Sequence, residues 1–241
     1  GSGPIYQITR AFRDGESGAR HNPEFTLLEW YRPGLDHHGL MDEVDQFLQE
    51  VLGCAPSVRE PYGEVFERWV GVDPHGAVSL ELQSRAEALG LRAVSSSGFS
   101  REDWLHLLMA GAIEPHLGIE RPQFVYDFPL ELKALARVRE GAGGEPDVAE
   151  RFEVFFQGLE LANGYHELTD ASEQRQRFLA DLESRRTLGR APVPLDERMI
   201  AALERGLPPC AGVALGFDRL VMIAADASAI GSVISFPDDR A

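Results

Sequence analysis

The spacing of apolar residues changes repeatedly along this chain, and each change predicts an element. Ile5 to Arg13 is rich in β-branched and aromatic residues and predicts a strand. Asp14-Gly15-Glu16-Ser17-Gly18 predicts a turn or loop. Phe25 to Tyr31 predicts a second strand, ended by Arg32-Pro33-Gly34, so the two form an antiparallel pair. Leu40, Val44, Phe47, Leu48 and Val51 recur at helical spacing until Gly53 stops the helix. Pro56 to about Glu120 reads as a helical insertion, with amphipathic segments at Leu80 to Leu89 and Glu102 to Ile113 and Ser95-Ser96-Ser97-Gly98 between them. Phe124 to Phe128 predicts another strand, and Gly141-Ala142-Gly143-Gly144-Glu145-Pro146 a flexible loop.

Further on, Phe152 to Phe156 and Leu159 to Leu161 flank Gln157-Gly158, a hairpin turn. A helix over Ala171 to Arg186 follows, with Thr169 or Asp170 placed to cap it, and a shorter one over Glu197 to Arg205. Gly212-Val213-Ala214-Leu215-Gly216 has the pattern of a buried strand, and a helix begins near Asp218. The sum is an α+β chain: one antiparallel β-sheet flanked by helices.

Composition narrows the function classes. The 241 residues, 44% hydrophobic and 26% charged, are ordinary for a soluble globular protein with a sizeable core. The longest apolar candidate, Val213 to Ala225, is broken by Asp218 and Arg219, so no membrane partner is expected. The opening Gly-Ser-Gly-Pro lacks the basic and apolar regions of a secretory signal. Cys54 and Cys210 form no CxxC pair, which argues against a cysteine-built zinc site and for reduced thiols in the cytoplasm. The net charge of −16, with no run of Lys and Arg, makes tRNA an unlikely partner.

Three constellations suggest chemistry. On the strand Phe25 to Tyr31, alternation puts Phe25, Leu27, Glu29 and Tyr31 on one face, where they suit either a flat ring beside a cation or simple packing under helices. In the hairpin, Phe156 opposes Leu159 and Phe155 opposes Glu160. Glu153 and Glu160 then share a face at roughly 7–8 Å, able to share a divalent ion or to stand as solvated glutamates. Arg219 opens a helix directly after Gly216, where a helix N-terminus and a guanidinium both favour phosphate; a capping Asp218 beside a solvated Arg219 is the plainer reading. GxGxxG and Walker A loops are absent. Asn163-Gly164-Tyr165-His166-Glu167, read as a loop after the hairpin, adds a carboxylate for an ammonium group.

Together these residues resemble the class II lysyl-tRNA synthetases. Phe12-Arg13 with Arg20-His21-Asn22-Pro23-Glu24-Phe25-Thr26 looks like motif 2 in its lysine-specific form, spread over about Ile5 to Pro33. Gly212 to Leu220 looks like motif 3, continuing to Ala225, and Glu160 to Leu168 like the lysine-pocket segment. The likeness covers nearly the whole chain as one catalytic domain. His21 through Pro33, Val148 to Glu153 and Asp239-Arg240-Ala241 are most similar to paralogues of the family that lack the anticodon-binding domain, activate β-lysine and pass it to a lysine of elongation factor P.

The resemblance implies an ATP site of Arg13, Asp14, Gly15, Glu16, His21, Asn22, Phe25, Glu160, Leu161, Gly216 and Arg219. Within it Arg13 contacts the α-phosphate and the substrate carboxylate, Phe25 stacks on adenine and Arg219 binds the γ-phosphate. Glu153 and Glu160 hold Mg²⁺. Glu29, Tyr31 and Glu167 receive the ammonium groups of lysine or β-lysine, Asn163 and Tyr165 line the pocket, and Ala214, where lysyl-tRNA synthetases typically have Gly, reshapes its floor. Arg13 and Arg219 carry the catalytic work, which is positioning and charge neutralisation. One departure stands out: the family's Arg-Asn-Glu is Arg13-Asp14-Gly15-Glu16 here, so Gly15 replaces the Glu expected on adenine. The likeness begins at motif 2. Motif 1, the family's dimer-forming element, would precede it, and the resemblance implies a homodimer for the full-length protein. A lysyl-tRNA synthetase catalytic fragment and a non-catalytic synthetase-like binding protein are the alternative readings.

Overall fold

The computed structural model describes residues 2–91 and 98–240. Among them a single sheet forms the frame. β1 (Ile5–Phe12), β2 (Glu24–Pro33), β3 (Val58–Pro61), β4 (Gln123–Phe128), β5 (Val138–Arg139), β6 (Val148–Phe156), β7 (Leu159–His166) and β8 (Cys210–Gly216) pair in the order β1-β2-β8-β7-β6-β4-β3, with β5 added beside β6. The expected antiparallel sheet holds everywhere except at one edge, where β3 runs parallel to β4.

Two apolar layers sandwich the sheet because its strands alternate. Phe124, Phe152, Val154, Ala162, Val213 and Leu215 pack with Leu40, Met41, Val44 and Leu48 of α1 (His37–Leu52) and Leu220 of α7 (Phe217–Ala224). On the other face, Val125 and Phe155 pack with α2 (Tyr62–Val70), α3 (Ser79–Ala88) and α4 (Arg101–Leu108). These three helices cover the β4–β6 half of that face, which leaves the β2–β8–β7 half open to a ligand. The insertion is therefore not wholly helical, as its periodicity implied, because it also supplies β3. Its second amphipathic segment ends as an α-helix at Leu108 and continues as one π turn over Met109–Ile113. Ser95, Ser96 and Ser97 lie outside the described residues.

The hairpin turn is where it was expected. Gln157 and Gly158 both take positive φ, 53° and 67°, the geometry whose twist matches antiparallel strands. Phe156 pairs with Leu159 and Phe155 with Glu160, but the register then slips by one, so Val154 meets Ala162 and Glu153 meets Asn163. The extra residue is Leu161, buried in the α1 layer. This bulge keeps Glu160 on the open face together with Asn163 and Tyr165. The run from Asn163 to His166 is strand, not the loop its composition suggested: it pairs with β6 on one side and β8 on the other. Beyond it, α5 (Ala171–Thr187) is capped by the Asp170 carboxylate, which accepts from Glu173 N–H, and packs against α6 (Glu197–Glu204).

Candidate functional site

The open half of the sheet carries a cavity of about 460 Å³. Its floor is built from β2, β8 and β7, its near wall from the loop joining β1 to β2, and its far end from the first turn of α7. Antiparallel pairing explains why distant residues converge here. Glu29 pairs with Ala214, Ala214 with Asn163 and Asn163 with Glu153, so four side chains form one row across four strands. In the next row, Tyr31 pairs with Gly212, Gly212 with Tyr165 and Tyr165 with Arg151.

Arg13, Glu16, His21, Asn22, Phe25, Glu160, Leu161, Asn163, Tyr165, Ala214, Gly216 and Arg219 of the expected set all line the cavity. Asp14 and Gly15 do not reach its wall; Glu16 does, ion-paired to Arg13 at 3.2 Å, while the Arg13 guanidinium lies 5.3 Å from the centre of the Phe25 ring. Glu29, Tyr31 and Glu167 lie outside the lining of that cavity, along the same sheet face. Tyr31 and Glu167 lie against each other over Gly212, and Glu29 accepts from Gln7 Nε2 at 2.8 Å. Glu153 does not line the cavity; it stands beside Asn163, which does.

The phosphate-sized end carries the guanidinium groups of Arg13, Arg20 and Arg219. Arg219 donates through Nη1 to the carbonyl of Glu160 at 2.7 Å and through Nη2 to Nε2 of His21 at 2.7 Å. Burial, and then the Arg219 charge, push the His21 pKa down, which keeps the ring neutral and its Nε2 free to accept. Asp218 does not cap α7 with its side chain. It is buried, and its Oδ2 accepts the backbone N–H of Thr26 at 2.6 Å, fastening the Arg219 turn to β2. The Asn22 amide is also committed to its own chain: it donates to the Glu24 carbonyl and accepts from Asp238 N–H, locking the C-terminal segment over the loop.

The sheet face beyond the cavity is acidic. Burial lifts the Glu167 carboxyl to about 7 and the Tyr31 phenol to about 12, the latter helped by the charges of Glu167 and Glu29. Burial also pushes Glu153 well up; Arg151 opposes this through an ion pair at 2.5 Å, and Glu160 and Glu114 add to it. Asn163 donates to Glu153 at 3.2 Å, and its buried Oδ1 has no partner among the described residues. Glu160 and Asn163 line the cavity and Glu153 accepts from Asn163, so oxygen donors of the kind Mg²⁺ takes stand in neighbouring rows of the sheet, and these residues fit that ion.

Several site residues escaped the sequence reading. Arg20 lines the cavity and donates to the Gly158 carbonyl at 3.3 Å, tying the loop to the hairpin turn; its place in the Arg-His-Asn-Pro run was the available signal. Arg151 could have been found by parity, two residues before Glu153 on one strand. Glu114 comes from the insertion and carried no signal.

A family model described as tRNA synthetases class II (D, K and N) matches residues 1–240. The chain is 50% identical over 241 residues to the elongation factor P–(R)-β-lysine ligase of Edwardsiella ictaluri, covering all of this chain and 73% of that relative. It is 49% identical over 240 residues to the ligase of the same name from Proteus mirabilis and 47% identical over 241 residues to that of Klebsiella pneumoniae, again with 100% of this chain and 73% of each relative covered.

Proposed function

We propose that this chain, which belongs to the class II tRNA synthetases of the D, K and N type, is an ATP-dependent ligase that activates (R)-β-lysine as an aminoacyl-adenylate and transfers it to a lysine side chain of elongation factor P. The observation that carries this reading is the polarity of the site: guanidinium groups at one end of the sheet face, half-buried carboxylates at the other, and Asn163 and Ala214 on the floor between. A triphosphate and a diamino acid have the complementary charges. The names of the relatives supply the β-lysine and the acceptor protein.

In this mechanism the adenine lies on Phe25 beside Arg13, and Arg219 and His21 hold the far phosphates. The substrate carboxylate attacks the α-phosphorus, pyrophosphate leaves, and Arg13 neutralises the charge that builds on the α-phosphate. Glu160 and Glu153, with Asn163 Oδ1, would hold Mg²⁺, which supplies further charge neutralisation on the phosphates. Glu29, Tyr31 and Glu167 bind the ammonium groups and set the distance to the carboxylate. The acceptor amine then displaces AMP. No protein nucleophile is needed, because positioning does the work. Cytoplasmic location and a homodimer belong to the same reading, supported by the family.

The test is mass spectrometry of elongation factor P after incubation with the full-length protein, ATP, Mg²⁺ and (R)-β-lysine. A mass gain of one lysyl residue on a single lysine, absent with Arg219→Ala, is the expected result. Unmodified factor, together with charged tRNA, would overturn the proposal.

A further inference from the structure

On the sheet face away from the cavity, α1 opens with two consecutive histidines. His37 is almost wholly buried; its Nε2 lies 3.1 Å from Oδ1 of Asp127, and its Nδ1 is buried without a partner among the described residues. The ring of His38 stands 4.1 Å from that of His37, centre to centre. Asp127 sits at the β4 bulge with φ 58°, a conformation that costs a non-glycine residue energy and so needs a compensating contact. Beside them, Nδ1 of His166 on β7 lies 2.7 Å from Glu150 on β6. Two triads share His37: His37, His38 and Asp127, and His37, Glu150 and His166. In each, one ligand atom per residue lies within 4.8 Å of the others.

We propose that this cluster is a site for a divalent transition metal of the zinc class, with His37 as its central ligand. Each triad offers two imidazoles and one carboxylate, ligands that zinc takes at about 2.0–2.2 Å, and neither matches the all-oxygen shell Mg²⁺ demands. Ligand atoms around a tetrahedral ion stand about 3.4 Å apart, so small side-chain rotations close the shell. The orphaned His37 nitrogen gains a partner. The charge opposing the carboxylates now comes from Arg139, 2.5 Å from Asp127, and from Arg137, 3.7 Å from Glu150. Both arginines reach in from exposed positions and can swing back to solvent when a metal arrives. The first triad joins α1 to β4 and the second joins α1 to β6 and β7, so an ion in either would tie strands to α1 behind the substrate pocket, and His166 stands one residue from Glu167.

Titration of the full-length, metal-free protein with Co²⁺ and Zn²⁺, followed by visible absorption and thermal melting, tests this. One equivalent of Co²⁺ should give the visible bands of an imidazole-ligated ion, Zn²⁺ should displace it, and one equivalent of Zn²⁺ should raise the melting temperature. His37→Ala should lose the site, and His38→Ala or His166→Ala should weaken it at least about tenfold, while Glu160→Gln leaves it unchanged. His38 is only half-buried, so its variant keeps the test valid if His37→Ala does not fold. Absence of a one-equivalent site, or affinity unchanged in both His38→Ala and His166→Ala, would overturn the proposal.

Discussion

Tyr31 and Glu167 meet over the bare backbone of Gly212: a Cβ at position 212 would stand 2.5 Å from Cε1 of the tyrosine and closer still to Oε1 of the glutamate. Glycine here makes room for both ammonium-binding groups at once. Gly212→Ala should therefore push the pair apart. The KM for the amino acid should rise about tenfold or more while that for ATP changes little, and overpacking should cost about 1–3 kcal/mol of stability. Substrate-dependent pyrophosphate exchange and thermal melting read the two effects.

The Glu167 carboxyl, lifted by burial to about 7, binds its proton more tightly folded than unfolded. Its favourable contribution to stability is thus fully present below its unfolded pKa and is lost as pH rises through the folded value. Substrate binding has the opposite sign, because an ammonium group selects the ionised carboxylate. Between about pH 6 and 8 the KM for β-lysine should fall as pH rises, and a proton should be released on binding. Glu167→Gln should raise KM and flatten that dependence. A slope unchanged in the variant would place the titrating group elsewhere.

Asp218 contributes to the site through the backbone. Removing its bond to Thr26 N–H leaves a part-buried donor unsatisfied and loosens the turn that carries Arg219. Asp218→Ala should cost about 1–3 kcal/mol of stability, measured by chemical unfolding. It should also lower exchange activity more than it weakens amino-acid binding.

Ala214 lies in the row between Glu29 and Asn163 and lines the cavity. Ala214→Gly removes one methyl group from that floor and should raise the use of α-lysine relative to β-lysine. A group of this size supplies about 1–3 kcal/mol, so the shift in the ratio of kcat/KM values should lie between several-fold and about a hundredfold. An unchanged ratio would remove Ala214 from the specificity argument.

Much of this was legible because it depends on local rules. The α1 stripe, the Gln157-Gly158 turn and the buried β8 run each follow from periodicity or turn chemistry, and parity alone put Glu160 opposite Phe155. The bulge at Leu161 was not legible, since an extra residue reveals itself only against a partner strand. Four residues of β3, one of them proline, are too short to separate from a helical context by pattern. Side-chain commitments were hidden as well: nothing local to Asn22 says that its amide holds Asp238. The motif 2, motif 3 and pocket segments resembled a family, but only the sheet register places Glu29, Ala214, Asn163 and Glu153 in one row.

ATP–pyrophosphate exchange by the full-length protein, run in parallel with (R)-β-lysine and α-lysine, tests the central claim most directly. Exchange dependent on Mg²⁺, strongest with (R)-β-lysine and abolished in Arg219→Ala, is the result expected. Exchange that favours α-lysine and leads to charged tRNA, or no exchange with either amino acid, would contradict it.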